Sequence, residues 1–162
     1  MEVFTMKAFF ASALAFVMML FSLITNPAGP DGIAVVHVSH SGFGRTLAEY
    51  KVDLARRNVW KYESWMFDYE PRDADARFEG YKFAGRLAKD KIDAFRAAAE
   101  QYGFADWEES YVNWGILDGH QWSVEVIFAD GTKKVSYGSN DYPATWGDMA
   151  QAFIALTGEN IL

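Results

Sequence analysis

Apolar and polar residues alternate most regularly in the stretch from Ile116 to Tyr142, ILDGHQWSVEVIFADGTKKVSYGSNDY. Period-two alternation marks strands with one buried face. Asp130-Gly131 suits a two-residue type I′ turn, which needs positive φ at both central positions. That loop pairs Ala129 with Thr132, Phe128 with Lys133, Val126 with Val135 and Val124 with Tyr137. Trp122, Val124, Val126, Phe128, Val135 and Tyr137 then share one face, and Ser123, Glu125, Lys134 and Ser136 the other. Ile127 is the one apolar residue on the polar face.

Upstream, Ile33 to His40 is a β-rich run that ends at the Ser-Gly-Phe-Gly break. Glu49 to Leu54 alternates, with Tyr50, Val52 and Leu54 on one side. A turn over Ala55 to Asn58 leads to a strand-like Val59 to Trp65, completing a first antiparallel meander. Phe67 to Asp75 is acidic, carries Pro71 and predicts a loop. Phe78 to Leu87 is ambiguous, because Tyr81 and Phe83 alternate while two glycines weaken a strand.

Helical spacing returns in Ala88 to Tyr102, where Ala88, Ile92, Phe95, Ala99 and Tyr102 recur before Gly103. The aromatic stretch from Phe104 to Trp114 leaves room for one short helical turn. Thr145 and Asp148 resemble a capping box opening a last helix, lined by Trp146, Met149, Ala150, Phe153 and Leu156 and ended by Gly158. Two antiparallel β units, each followed by a striped helix, predict an α+β fold. Its antiparallel sheet, built from β-hairpins and a meander, carries two amphipathic helices on one face.

Residues 1–28 have a different character. Lys7 precedes an uncharged apolar run from Ala8 to Ile24, followed by the helix-breaking TNPAGPDG. This segment predicts either a signal peptide or an N-terminal membrane anchor, with 29–162 as a single α+β domain beyond it. The expected location is extracytoplasmic: periplasmic, secreted or membrane-anchored. The chain contains 51% hydrophobic and 17% aromatic residues, enough to build a core rather than remain disordered. Its net charge of -7 argues against nucleic acid as a partner. The absence of cysteine excludes disulfides, thiolate metal sites and a cysteine nucleophile.

Few residues suggest chemistry. His37 and His40 form an H-x-x-H pair, but residues three apart on a strand point to opposite faces, so no metal site is expected there. His120 lies beside Asp118, a pairing that does acid–base work only with a third group and a pocket. No G-x-S-x-G elbow places a Ser-His-Asp set, and no catalytic residue is assigned. Trp107, His120, Trp122, Tyr137, Asn140 and Tyr142 are the candidate ligand-binding residues, framing an aromatic and polar cleft for a glycan or peptide. The same side chains fit an aromatic core, which is the commoner arrangement, with Asn140 and Gly138 supplying left-handed backbone.

Two resemblances bear on function. The stretch IAVVHVSHSGFGRTLA resembles the first strand and phosphate loop of flavodoxin-like quinone reductases. That resemblance implies a helix after Thr46 and a flavin phosphate held by Ser41 to Thr46. The alternation of Glu49 to Leu54 implies a strand in the same place. The second resemblance rests on Phe104-Ala105-Asp106-Trp107, Tyr111, Asp118-Gly119, Trp122, Asp130-Gly131 and Tyr137-Gly138-Ser139-Asn140-Asp141-Tyr142-Pro143. This run of about 50 residues is similar to a family of small exported bacterial domains of uncharacterised function, many of them lipoproteins. It implies compartment and fold rather than a reaction, and the missing cysteine departs from the lipoprotein members. The expected protein is an exported binding or envelope-associated module without a cofactor. Its partner is an envelope component or another protein, and it meets a membrane only through an uncleaved N-terminal segment. The enzyme alternative, implied by the first resemblance, is a flavodoxin-like flavin-binding reductase using Ser41 to Thr46, and the third possibility is a purely structural domain of an envelope assembly.

Overall fold

A computed structural model of the chain describes residues 32–42, 45–63, 80–116 and 118–162. The apolar N-terminal segment and the acidic loop expected at Phe67 to Asp75 lie outside the described residues. Seven strands form one sheet in the order β4-β3-β2-β1-β6-β7-β5. They are β1 (Ile33–Gly42), β2 (Arg45–Asp53), β3 (Asn58–Glu63), β4 (Lys82–Arg86), β5 (Ser110–Val112), β6 (His120–Phe128) and β7 (Lys133–Ser139). Helix α1 (Lys89–Gln101) and helix α2 (Trp146–Thr157) cover one face, and a 3-10 turn spans Phe104–Asp106. The α+β architecture read from the periodicity is the one observed. Among the described residues no helix is long and apolar enough to cross a membrane.

The first meander follows its alternation. Val36, Val38, Tyr50, Val52, Leu54 and Val59 are buried beneath the helices. The β2–β3 turn is tied by Asp53, whose Oδ1 accepts the Arg56 amide at 2.7 Å, and Arg57 closes it with φ 61°. The ambiguous segment before α1 becomes edge strand β4, antiparallel to β3. The two β units join through β1 and β6, which pair antiparallel over nearly their whole length. Helix α1 contributes Ile92, Phe95 and Ala99 to the core, and α2 contributes Met149, Phe153 and Leu156. Both helices end as expected, at Gly103 and Gly158 in left-handed conformation (φ 59° and 84°).

The hairpin exists, but its register differs by one residue from the expected one. Gly131 donates to the Phe128 carbonyl and Phe128 donates to the Thr132 carbonyl, so the loop has three residues. Gly131 alone takes positive φ, 84°, which is the type I turn plus G1 bulge. Asp130 stays out of the left-handed region because its carboxylate accepts from both the amide and hydroxyl of Thr132. Trp122 therefore faces Gly138, Val124 faces Ser136 and Val126 faces Lys134. Val135 and Tyr137 turn to the outer face, 46% and 47% exposed, while Ser136 is buried at 4%. Side-chain volume explains the choice. A Cβ on Gly138 would lie 2.3 Å from Trp122 Nε1, so the bare glycine is what lets the indole lie flat across β7.

Two further expectations are corrected. No helix follows Thr46: Thr46 pairs with Ser41 inside an antiparallel β1–β2 ladder, so Ser41 to Thr46 is not a phosphate loop opening a helix. The flavodoxin-like arrangement, which requires a parallel sheet, is thereby excluded. Thr145 stands at the N-cap of α2 but makes no side-chain cap bond. Its hydroxyl instead donates to the Tyr102 carbonyl and accepts from Trp107 Nε1, both at 3.0 Å, tying α2 to the end of α1.

The register yields a direct test by chemical denaturation. Gly138→Ala should cost about 1–3 kcal/mol by overpacking, whereas Val135→Ser on the exposed face should cost less than about 0.5 kcal/mol. The two-residue register would reverse that ranking.

Candidate functional site

The C-terminal aromatic residues converge where β1 and β6 meet the N-terminus of α2. Trp122 is the hub. Its indole lies 4.5 Å from that of Trp146, 6.1 Å from Trp107, 5.8 Å from Tyr111 and 6.3 Å from Tyr142, centroid to centroid. Its Nε1 donates to the Asp141 carbonyl at 2.9 Å, which pins the loop between β7 and α2. Trp107 and Trp122 are both buried, so these two belong to the core.

Asn140 shapes the loop from the other side. It holds φ 54°, donates its backbone amide to the His120 carbonyl and accepts the His120 amide through Oδ1 at 3.1 Å. Its side chain bonds across to the start of β6 and also donates through Nδ2 to the neighbouring Ser139 hydroxyl at 3.4 Å. The approach is close enough that a Cβ on Gly119 would lie 2.0 Å from Asn140 Oδ1. Tyr142 then stands at the surface with its ring 5.0 Å from that of Trp146.

Beside this cluster, three polar side chains form one hydrogen-bonded chain. His40 and His120 meet through His40 Nδ1 and His120 Nε2 at 2.9 Å. Their rings lie 25° from coplanar with centroids 5.0 Å apart, so the bond runs nearly in the plane of both. His40 Nε2 lies 2.6 Å from the Ile161 carbonyl, and His120 Nδ1 lies 3.2 Å from the Tyr142 hydroxyl. The carbonyl fixes the direction of the chain, because it can only accept. His40 carries its proton on Nε2, which leaves Nδ1 to accept from His120 Nε2–H. His120 Nδ1 in turn accepts from the Tyr142 hydroxyl.

Burial lowers the His40 pKa below its ordinary 6.5; the bond to the Ile161 carbonyl opposes this, and the neighbouring His120 adds to the depression. Burial also lowers His120. Above this chain opens a cleft of about 400 Å³, lined by His40, Ala48, Tyr50, His120, Tyr142, Trp146, Asn160 and Leu162. None of those eight side chains is a carboxylate or an amine.

The six residues read from the sequence thus separate. His120 and Tyr142 line the cleft. Trp107, Trp122 and Asn140 support it from behind. Tyr137 does not take part, because the shifted register turns it to the opposite face of the sheet. His37 is separated from His40 as the strand period requires. On that opposite face His37 Nε2 donates to the Tyr81 hydroxyl at 2.8 Å, and Tyr81 donates to Glu49. Among the described residues no three His, Cys, Asp or Glu side chains gather to hold a metal ion. His40, Trp146, Tyr50 and Asn160 were missed as cleft residues. His40 lies in phase with the buried Val36 and Val38, as Tyr50 does with Val52 and Leu54, and Trp146 sits on the apolar stripe of its helix, but periodicity marks these positions as core-facing and not as a cleft.

Comparison with protein-family models, curated proteins and solved structures finds no match to this chain.

The histidine pair links stability to pH. Unfolded, both imidazoles protonate near 6.5, whereas in the fold they resist protonation. The unfolded state therefore binds more protons just below that value, and acidification destabilises the fold. Tm should fall from pH 7.5 to 5.5 and level off below the folded pKa values. Imidazole NMR signals of His40 and His120 should titrate below 6.5; a midpoint above 6.5 for either would contradict this account.

Proposed function

We propose that this chain is an exported, extracytoplasmic binding module rather than a catalyst, and that the cleft over His40, His120 and Tyr142 is its ligand site. The observation that carries this reading is the composition of the cleft: aromatic faces and neutral hydrogen-bonding groups, with no carboxylate or amine among its lining side chains. Every ring nitrogen of the histidine pair is already committed to a hydrogen bond, so such walls bind and orient. The interlocked Trp122, Trp146 and Asp141 contacts hold Tyr142 in place before any ligand arrives, which lowers the ordering cost of binding. Export is supported by the apolar 1–28 segment and by the similarity of the C-terminal run to small exported bacterial domains. The corresponding partner is a component of the cell envelope.

Two experiments test this reading. Fusing residues 1–28 to a reporter enzyme that matures only outside the cytoplasm should give reporter activity, and an inactive fusion would remove the export assignment. For the cleft, the full chain is screened by thermal shift against envelope saccharides, short peptides, nucleotides and divalent metals. A ligand at about 100 times its Kd should add roughly 2.7 kcal/mol to the native state. Tyr142→Ala should abolish that shift while leaving the unliganded Tm within a few degrees. A shift that survives in this variant would place binding elsewhere.

A further inference from the structure

Resting on the cleft as the ligand site, we infer that it takes an uncharged, hydroxyl-rich ligand of sugar-ring size, which donates a hydrogen bond to the Tyr142 oxygen. The direction of the histidine chain is the reason. The Ile161 carbonyl commits His40 Nε2–H, His40 Nδ1 then takes His120 Nε2–H, and His120 Nδ1 takes the Tyr142 proton. With its proton turned inward, Tyr142 presents lone pairs to the cleft, and a ligand must answer with a donor. A carboxylate or sulfate oxygen has none. The Tyr142 and Trp146 rings, 5.0 Å apart and inclined at 56°, offer an apolar corner for the C–H face of a ring.

The charged groups on the surrounding elements leave that preference in place. Lys61 on β3 pairs with Glu159 of the C-terminal tail at 2.8 Å. Glu49, Lys51 and Asp53 of β2 alternate onto the other face from the cleft residues Ala48 and Tyr50. The Asp141 carboxylate accepts the Tyr142 amide, and Asp148 of α2 is exposed. A peptide is the weaker fit. Strand addition needs a free sheet edge, and the cleft stands on β1, β2 and β6 in the middle of the sheet, while the edges are β4 and β5.

The same chain makes the preference against anions depend on one proton. Two protons on the pair would set N–H against N–H at 2.9 Å, so the first protonation opposes the second. Because His40 Nε2 stays on Ile161, the first proton reaches the cleft side as His120 Nδ1–H, which donates to the Tyr142 oxygen. The Tyr142 proton then turns outward. The cleft changes from hydrogen-bond acceptor to donor and gains a positive charge, so it becomes able to hold an anion, while a hydroxyl, which donates and accepts, fits both states. Burial keeps both histidines neutral at pH 7, where the acceptor state holds.

The test is an NMR titration of the full chain with N,N′-diacetylchitobiose and, separately, with sulfate, which carries no proton in this pH range, following the imidazole signals. At pH 7.5 the disaccharide should shift the His120 signals and sulfate should not. Sulfate affinity should rise about tenfold per pH unit as the pH falls toward the folded pKa of the pair, as expected for a one-proton linkage. Tyr142→Phe keeps the ring and removes the acceptor; it should weaken disaccharide binding at least tenfold at pH 7.5 while Tm is retained. Sulfate binding at pH 7.5 that depends on Tyr142, or a short neutral peptide binding there in place of the sugar, would overturn the ligand class while leaving the cleft as the site. If none of these probes moves the cleft signals, the ligand class and the site assignment fall together.

Discussion

The contact between the Trp122 indole and the bare backbone of Gly138 is the constraint on which the C-terminal half depends. It fixes which strand residues face each other, because no side chain fits at position 138 beneath the indole. Once the indole lies across β7, its Nε1 reaches the Asp141 carbonyl and its ring meets Trp107, Trp146 and Tyr142. The entry of α2, the position of Tyr142 and one wall of the cleft all follow from that placement. Full burial of a tryptophan is worth roughly 3–5 kcal/mol against truncation to alanine, so the register is held by a substantial fraction of a domain's net stability.

The polar chain beside the hub depends on a contact between distant parts of the sequence. His40 lies on β1, His120 opens β6, and the tail returns Ile161 to meet His40. One backbone carbonyl then sets the tautomer of two imidazoles and the orientation of a phenol. Burial of the tail shields His40 and depresses its protonation, so the element that orients the chain also keeps it neutral. The Lys61–Glu159 pair anchors that tail to the meander.

The Tyr-Gly-Ser-Asn-Asp-Tyr-Pro run has a different physical role at almost every position. Tyr137 faces outward, Gly138 admits the indole, Asn140 takes left-handed backbone and holds the start of β6, Asp141 receives Trp122, and Tyr142 reaches the cleft. Most of the run is scaffold, and its end is the surface at which a ligand would arrive.

The sequence by itself determined the fold class, both helices with their buried stripes and glycine stops, the strands of the meander, and the separation of His37 from His40. Each of these follows from local periodicity or backbone preference. Tertiary structure decided what depends on residues far apart. Asp130-Gly131 suits either a two- or a three-residue loop, and only the volume of Trp122 over Gly138 selected the bulge, turning Val135 and Tyr137 outward. Thr145 has the chemistry of a cap, but the Trp107 indole and the Tyr102 carbonyl claimed its hydroxyl. The short β5, parallel to β7, has too few residues for an alternation to mark it. The union of His40, His120 and Tyr142 under the Ile161 carbonyl was illegible for the same reason: partners 80 and 121 residues from His40 leave no periodic trace, and only the closed sheet brings them within hydrogen-bonding distance.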